Sequence, residues 1–498
     1  MRYLLGIDFG GGASKATLLS ENGEIVAEQT VEYETYHPFA GACEQKPEDW
    51  YEALCRGTHE ILRKSKIRPE EIVCVAVDSA THTAVLCDAG KKPLRPAIHW
   101  TDSRSTEQAE QLRGAGMEWI QKAAYHRPDP IWTLPQLMWV RDMEPEVFAR
   151  IRFIFFEKDY IRYCLTGVYG TDEIEAQGSM LYDHGKKTWS DRLCRLAGIT
   201  EIMLPPIFKP LDHAGEVTAE AARDTGLAEG TRVIFGTTDT VLEVFASGAI
   251  APGQMTVKLA TAGRICVISE KAYPHPQLIN YSHVVDGLWY PGTATKSCAA
   301  SYRWYRDTFS GDYDTLNAGA ETVAPGADGL MFHPYLNGEL TPYGDPLLCG
   351  SFVGIRSFHE KKHFTRAVME GISLSLLDCL ETLKKIGIPV GDKAVLIGGG
   401  AKGALWRQIT ADILGMELSV TNSSDSSLGS AMLAGIAAGV FQNYPDAVRK
   451  CVKVKSITTP DPERTAQYHT IYEKYKRVHD ALAPIYHEAA CEKEGEAG

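Results

Sequence analysis

An α/β fold built as two related lobes facing each other across a cleft is what this sequence predicts, on three observations. Apolar, strand-like runs alternate with helical patterns along most of the chain, the arrangement of mixed α/β domains. A small-residue turn joins two extended apolar runs at the start (Gly10-Gly11-Gly12) and again near the middle (Ala260-Thr261-Ala262-Gly263), as if one arrangement had been used twice. The length of 498 residues also exceeds what one core usually serves.

The elements follow in order. Residues 3–9 and 15–19 read as strands on either side of the glycine turn, and Glu21-Asn22-Gly23 is a hairpin turn leading into a strand over 24–31. Pro47, with Glu48 and Asp49 behind it, starts a helix towards residue 63, because proline suits the first turn and acidic residues suit the positive end of the helix dipole. Residues 72–77 form a buried strand and 84–87 another, closed by Asp88-Ala89-Gly90, while 133–142 and 158–165 are helical. A β-like run over 232–235 precedes Gly236-Thr237-Thr238-Asp239-Thr240 and a further helix. Beyond the second hairpin, residues 394–397 form a strand, Gly398-Gly399-Gly400-Ala401 a turn and residues 405–414 a helix. Ala249-Ile250-Ala251-Pro252-Gly253 marks the boundary, giving domains over 1–248 and 254–488, with a charged tail over 489–498 expected to fray.

Composition narrows the class. Apolar residues make up 44% and charged residues 23%, the balance of an ordinary globular protein. The 51 Lys and Arg against 64 Asp and Glu leave a net charge of −13, which gives no general attraction for nucleic acid or an anionic membrane. The first residues break their apolar run too early for a signal peptide, and the longest apolar stretch, 431–441, is well short of a membrane span. Twelve cysteines occur without a Cys-x-x-Cys pair and read as reduced thiols, so a cytoplasmic protein is expected.

Several segments could carry chemistry. Phosphate oxygens need N–H donors converging on one point, and Gly10, Gly11 and Gly12, followed by Lys15, let a backbone come that close. Asp8, just before that turn, could hold a hydrated Mg²⁺; the plain alternative is a flexible hairpin with a solvated carboxylate. Asp239 sits where a helix begins, fit either to cap it or to take a proton from a substrate hydroxyl. Thr261 in the second hairpin offers a hydroxyl, or is an ordinary turn threonine. Residues 398–403 match Gly-x-Gly-x-x-Gly, but Thr421-Asn422 stands where a dehydrogenase needs a ribose-binding acid. His359-Glu360-Lys361-Lys362-His363 matches a zinc-protease pattern but reads as a loop entering a helix, where the two histidines do not share a face.

Together the pieces resemble the FGGY carbohydrate kinases of the actin–hexokinase superfamily, the xylulokinases above all. The motifs run in order over about residues 3–445. They are Gly6-Ile7-Asp8-Phe9-Gly10, then Glu44-Gln45-Lys46-Pro47-Glu48-Asp49-Trp50, then the run from Pro96 to Arg104 (PAIHWTDSR). Gly338-Glu339-Leu340-Thr341-Pro342 and the run from Gly398 to Gln408 (GGGAKGALWRQ) complete the set. The resemblance implies two actin-like (ribonuclease-H-like) domains around a central cleft in which ATP and a small sugar meet, a ketose such as xylulose. It makes Asp239 the catalytic base, with Asp8 and Asp239 placing Mg²⁺. Gly10, Gly11, Gly12 and Lys15 become one phosphate hairpin and Thr261 and Gly263 the other, with Gly399, Gly400 and Ala401 at the adenosine. His82, Trp100, Asp102, Arg104, Asp239 and Thr240 fall on the sugar side, and residues 249–253 become a place to look for a hinge. Some positions depart from the family: Gly11, Gly12 and Ala13 replace hydroxyl-bearing residues, Ala260 a glycine, Thr240 an asparagine, Thr81 a methionine and Glu243 an alanine. A catalytically weak sensor of the same fold is the second hypothesis. A homodimer stays open, since the sequence does not give the oligomeric state.

Overall fold

The computed structural model describes residues 1–495, with side chains to residue 489. Its first sheet is built on β1 (Tyr3–Phe9), β2 (Ala13–Ser20), β3 (Ile25–Glu32), β4 (Ile72–Ser79), β5 (His213–Glu216) and β6 (Arg232–Ile234), in the order β5-β6-β4-β1-β2-β3. β1 and β4 are nearly continuous apolar runs because both of their faces are covered, whereas β3 alternates buried and exposed residues at the edge. α1 (Pro47–Ser65), begun by its proline as expected, packs on β2 and β3. The parallel pairing of β1 with β4 sets Asp8 directly opposite Asp78. A smaller antiparallel sheet over residues 44–45, 97–98, 84–87 and 153–156 leads into α2 (Glu157–Thr166) and α3 (Glu173–Gly178). α4 (Asp239–Ala246) closes the first half.

The second sheet comprises β7 (Met255–Leu259), β8 (Gly263–Val267), β9 (Gly292–Ala294), β10 (Lys393–Ile397), β11 (Glu417–Thr421) and β12 (Val454–Thr458), in the order β9-β8-β7-β10-β11-β12. Its pairings run antiparallel twice, parallel twice and antiparallel once, and the first sheet read from β3 to β5 runs the same way. The repeated hairpin in the sequence is therefore the visible end of a repeated sheet. α5 (Lys361–Ile386) is buried along most of its length, and α6 (Ala404–Leu414) packs beside it. Glu360 caps α5, so His359 lies outside the helix that holds His363, which disposes of the zinc-protease pattern.

α7 (Ser426–Ala437) leaves the second sheet and lies on β1, β4 and α4 of the first half. Its small residues permit this: a Cβ on Gly429 would lie 2.4 Å from the Leu242 carbonyl oxygen of α4. The sequence boundary at 249–253 is an exposed turn in which Gln254 Oε1 accepts from the Ile250 and Ala251 amides, and Gly253 takes a left-handed φ of 83°. α8 (Pro462–Gly495) ends the described chain. The tail expected to fray from residue 489 is helical as far as residue 495, and residues 496–498 lie outside the described residues.

Candidate active site

Ligands in open α/β sheets gather at the carboxyl ends of the parallel strands, and there Asp8 and Asp78 are the last residues but one of β1 and β4. Asp78 is fully buried, its Oδ2 accepting from Ser430 Oγ of α7 at 2.5 Å. Its Oδ1 and the Oδ1 of Asp8 are both enclosed without a partner. Burial and the mutual approach of Asp8, Asp78 and Asp239 push the Asp8 carboxyl well above the usual carboxylate range, and burial does the same to Asp78. Glu157, at the start of α2, is enclosed with neither oxygen partnered and is raised by burial and by Asp239. No group of three or more His, Cys, Asp or Glu among the described residues closes around a metal by itself. Mg²⁺ does not need such a cage: it binds through one or two carboxylates plus phosphate oxygens and water. The orphaned oxygens of Asp8 and Asp78 fit that requirement.

A consequence is measurable. A carboxyl raised by folding holds its proton more tightly in the folded chain than in the unfolded one. Stability from that group is thus lost as pH rises from the ordinary carboxylate range through the raised value. Buried neutral histidines such as His82 and His283, each lowered to about 3 by burial, act in the opposite sense. Comparison with a variant therefore isolates the carboxylates. Without divalent cation, Asp78→Asn melts roughly 2–4 °C above the parent at pH 7.5. The gap closes towards pH 5 and on adding MgCl₂, as followed by circular dichroism; a gap independent of both would refute the account.

Asp239 occupies the first turn of α4, behind Thr238, whose hydroxyl is enclosed and unpartnered. Its Oδ1 accepts from the Thr240 amide at 2.6 Å, from Thr240 Oγ1 at 3.0 Å and from Thr81 Oγ1 at 3.4 Å. Burial raises its carboxyl, and Lys258 of β7 opposes the rise from across the cleft. Lys258 is itself paired with Glu243, one turn along α4, at 2.5 Å. The family departure at Glu243 thus makes an ion pair between the two halves beside Asp239.

The two small-residue hairpins behave alike. In the first, Gly10 N–H donates to the Ala13 carbonyl at 3.0 Å, and the Gly11 and Gly12 carbonyls accept from Thr35 Oγ1 (2.8 Å) and the Tyr33 amide (3.1 Å). This anchors the loop from behind. A Cβ on Gly12 would meet nothing within 4 Å, and one on Gly11 would meet only the His99 ring at 3.6 Å. Lys15 pairs with Glu28 at 2.8 Å and with Asp425, the cap of α7, at 2.9 Å. In the second hairpin, Thr261 is exposed and its carbonyl accepts the Cys298 amide at 3.0 Å, while Gly263 N–H donates to Thr295 Oγ1 at 3.0 Å. Gly398 takes a left-handed φ of 91°, and its missing Cβ leaves room for the Leu259 carbonyl, 2.6 Å from where that Cβ would stand. Gly399, Gly400 and Ala401 are thereby set in a tight 3₁₀ turn against this hairpin, and Gly399 faces open space.

On the other side His82 has a left-handed φ of 58°, its amide donating to Glu175 and its carbonyl accepting from Thr133 Oγ1 at 2.7 Å. Its ring lies 4.8 Å from that of Trp132, and Nδ1 has no partner. Trp100 is exposed beside His99. Asp102 and Arg104 are buried and spend their bonds on each other (2.8 Å) and on Cys43 and Glu44. They brace the loop that carries Trp100.

Sequence reasoning missed Asp78, Glu157, His126, Tyr281 and Arg264. Asp78 had a signal: a carboxylate near the end of an apolar strand, as Asp8 is in the first. The others are single polar residues in loops or at element starts, and only folding gathers them.

Comparison with known proteins agrees with this geometry. Residues 3–246 match the N-terminal domain of the FGGY family of carbohydrate kinases and residues 263–438 its C-terminal domain. The chain is 31% identical over 484 residues to the xylulose kinase of Bacillus subtilis (strain 168), covering 96% of this chain and 97% of that one. It is 29% identical over 510 residues to the gluconokinase of the same organism, covering 99% and 98%. The crystal structure of xylulose kinase from Rhodospirillum rubrum superposes with a TM-score of 0.89 at 27% identity, covering 98% of this chain and 100% of that one. Two matched domains, relatives over nearly the full length and a cleft lined by paired hairpins and carboxylates agree: the chain belongs to the FGGY family of carbohydrate kinases, enzymes that phosphorylate sugars with ATP.

Proposed function

We propose that the acceptor is a small sugar of five or six carbons, ketoses such as xylulose being the first class to test, and that Asp239 is the base that takes the proton of the attacking hydroxyl. The observation that carries this reading is the position of Asp239: in the first turn of α4, half-buried, with one oxygen committed to Thr240 and Thr81 and Lys258 facing it from the other half. The helix N-terminus favours the carboxylate form that a base needs. His82, beside Thr81, offers a neutral ring nitrogen to sugar hydroxyls, and Trp100 lies nearby in the chain of sugar-side motifs.

ATP would lie along the two hairpins, its phosphates at Gly10, Gly11, Gly12, Thr261 and Gly263 and its adenosine at Gly399, Gly400 and Ala401. Asp8, with Asp78 beside it, would hold Mg²⁺, whose charge, when bound, neutralises the phosphate oxygens. Phosphoryl transfer passes through a loose transition state, so these residues act by positioning groups and by donating to spreading charge. Lys15, bound to Asp425 of α7, ties the first hairpin to the helix that joins the halves. ATP supply and reduced thiols also suit the cytoplasmic location expected from the sequence; no helix among the described residues is long and apolar enough to cross a membrane.

The test is ATP turnover over a panel of pentuloses, hexuloses and polyols, read by ADP release and by product phosphate. Sugar-dependent turnover is expected; binding of ATP and sugar without turnover on any member would favour the sensor. The first hairpin lacks side-chain donors, so a second measurement follows. Gly12→Thr, placed in open space, adds a hydroxyl and lowers the KM for ATP roughly threefold to tenfold, one charge-assisted hydrogen bond at partial strength. An unchanged or raised KM would show that the phosphates lie elsewhere.

A further inference from the structure

Arg264 follows Gly263 on β8 and stands opposite Lys258 of β7, the residue that reaches Glu243 of the first half. Its Nε and Nη2 are enclosed and have no hydrogen-bond partner. The guanidinium lies 5.3 Å from the centre of the Tyr290 ring and 5.9 Å from that of Tyr281. The carboxylate whose charge reaches it, Glu243, is already held by Lys258 at 2.5 Å, and the neighbouring Cys266 thiol is kept neutral by burial. The side chain is half-buried, and stacking on two tyrosines replaces only part of the hydration that Nε and Nη2 have lost. An anionic group brought by a ligand would supply the missing partner.

The surroundings say which ligand. A point at the Cβ position of Gly178 lies 2.7 Å from Thr81 Cγ2, 3.3 Å from His82 Cδ2 and 3.4 Å from Tyr281 Cε1. Thr81 in turn reaches Asp239 at 3.4 Å. His126, buried with both ring nitrogens unpartnered, sits 4.3 Å from the Trp132 ring and 5.3 Å from that of Tyr281. Burial, with Arg264 contributing, keeps this imidazole neutral. One run of contacts therefore leads from Asp239 through the uncharged groups of Thr81, His82, Tyr281 and His126 to a guanidinium with two unpartnered nitrogens.

We propose that the acceptor sugar carries a carboxylate, and that Arg264 binds it at the end of the molecule remote from the hydroxyl facing Asp239. The substrate class is then a sugar acid, an aldonate or ketoaldonate of five or six carbons. The inference rests on the reading of Asp239 as the base and makes the acceptor class more specific. A guanidinium fork suits a carboxylate because it donates two parallel hydrogen bonds.

The experiment compares sugar acids with neutral ketoses and polyols of equal length, in wild-type enzyme, Arg264→Met and Arg264→Lys, by ATP turnover and by calorimetry. Wild-type enzyme is expected to favour the acid at least tenfold in kcat/KM. Arg264→Met should cut that acid-to-neutral ratio by on the order of 10², mainly through KM, and Arg264→Lys should restore part of it. A wild-type preference for neutral sugars, or an equal loss for both classes in Arg264→Met, overturns the inference and leaves the kinase reading standing. If no sugar of either class stimulates turnover, the reading of Asp239 fails instead, and calorimetry decides on Arg264: binding of the acid lost in Arg264→Met supports the site, and equal binding overturns it.

Discussion

With Asp239 as the proposed base, Asp239→Asn is expected to lower kcat by on the order of 10³ while leaving the fold intact. A positioned general base contributes roughly 10²–10⁴ in rate. The amide oxygen of asparagine can still accept the Thr240 amide, which in the native chain lies 2.6 Å from Asp239 Oδ1, so the start of α4 keeps its geometry. What is lost is the capacity to take a proton. The pH profile should separate this from a mere loss of shape. Burial raises the Asp239 carboxyl, so wild-type kcat/KM falls as pH drops through that raised value, where the base becomes protonated. The residual activity of the variant shows no such limb from this position. Steady-state rates of both proteins between pH 5 and 8, with the KM for ATP as a check on nucleotide binding, provide the test. A variant with wild-type kcat would remove Asp239 from the chemistry.

Gly6→Ala has the largest expected effect on folding. The new Cβ would fall 2.0 Å from the Ser427 carbonyl oxygen and 2.4 Å from the Ala431 amide nitrogen, both backbone atoms of α7. Backbone in the middle of a helix cannot step aside as a side chain can, so α7 must lift from β1. Overpacking of this kind costs about 3 kcal/mol or more. Lifting α7 also strains the hydrogen bond between Thr17 and Ser427 (2.7 Å) and withdraws Ser430 from Asp78, leaving that carboxylate with less support. Urea denaturation should show a clearly lowered midpoint, with kinase activity lost at lower urea than bulk secondary structure. Gly12→Ala, whose Cβ meets nothing, is the control and should unfold like the parent. Equal midpoints for the two variants would mean that α7 does not rest on β1 in solution.

The paired hairpins, the helix begun at Pro47 and the carboxylate at the head of α4 were legible because each depends on neighbours within a few residues: a turn needs its glycines, and a first turn its proline or acid. The repeat of the two sheets could be suspected from the hairpins alone, since each begins a sheet of the same pairing pattern. Asp102 and Arg104 show the limit of such reading. Their motif marks the family, yet its charges are turned inward onto each other and onto Glu44, an outcome that a linear pattern does not contain.

The sequence by itself determined the class of fold, the two hairpins and the family, through local turn chemistry and motifs kept in order. Only the tertiary structure decided how the cleft is charged. Ser430 meets Asp78 across 352 residues of chain, and Lys15 meets Asp425 across 410. Arg264 finds itself without a counter-ion because Glu243 has been taken by Lys258 from the opposite half. Burial and charge pairing are properties of the whole packed chain, set by which surfaces come together, and local sequence carries no record of them.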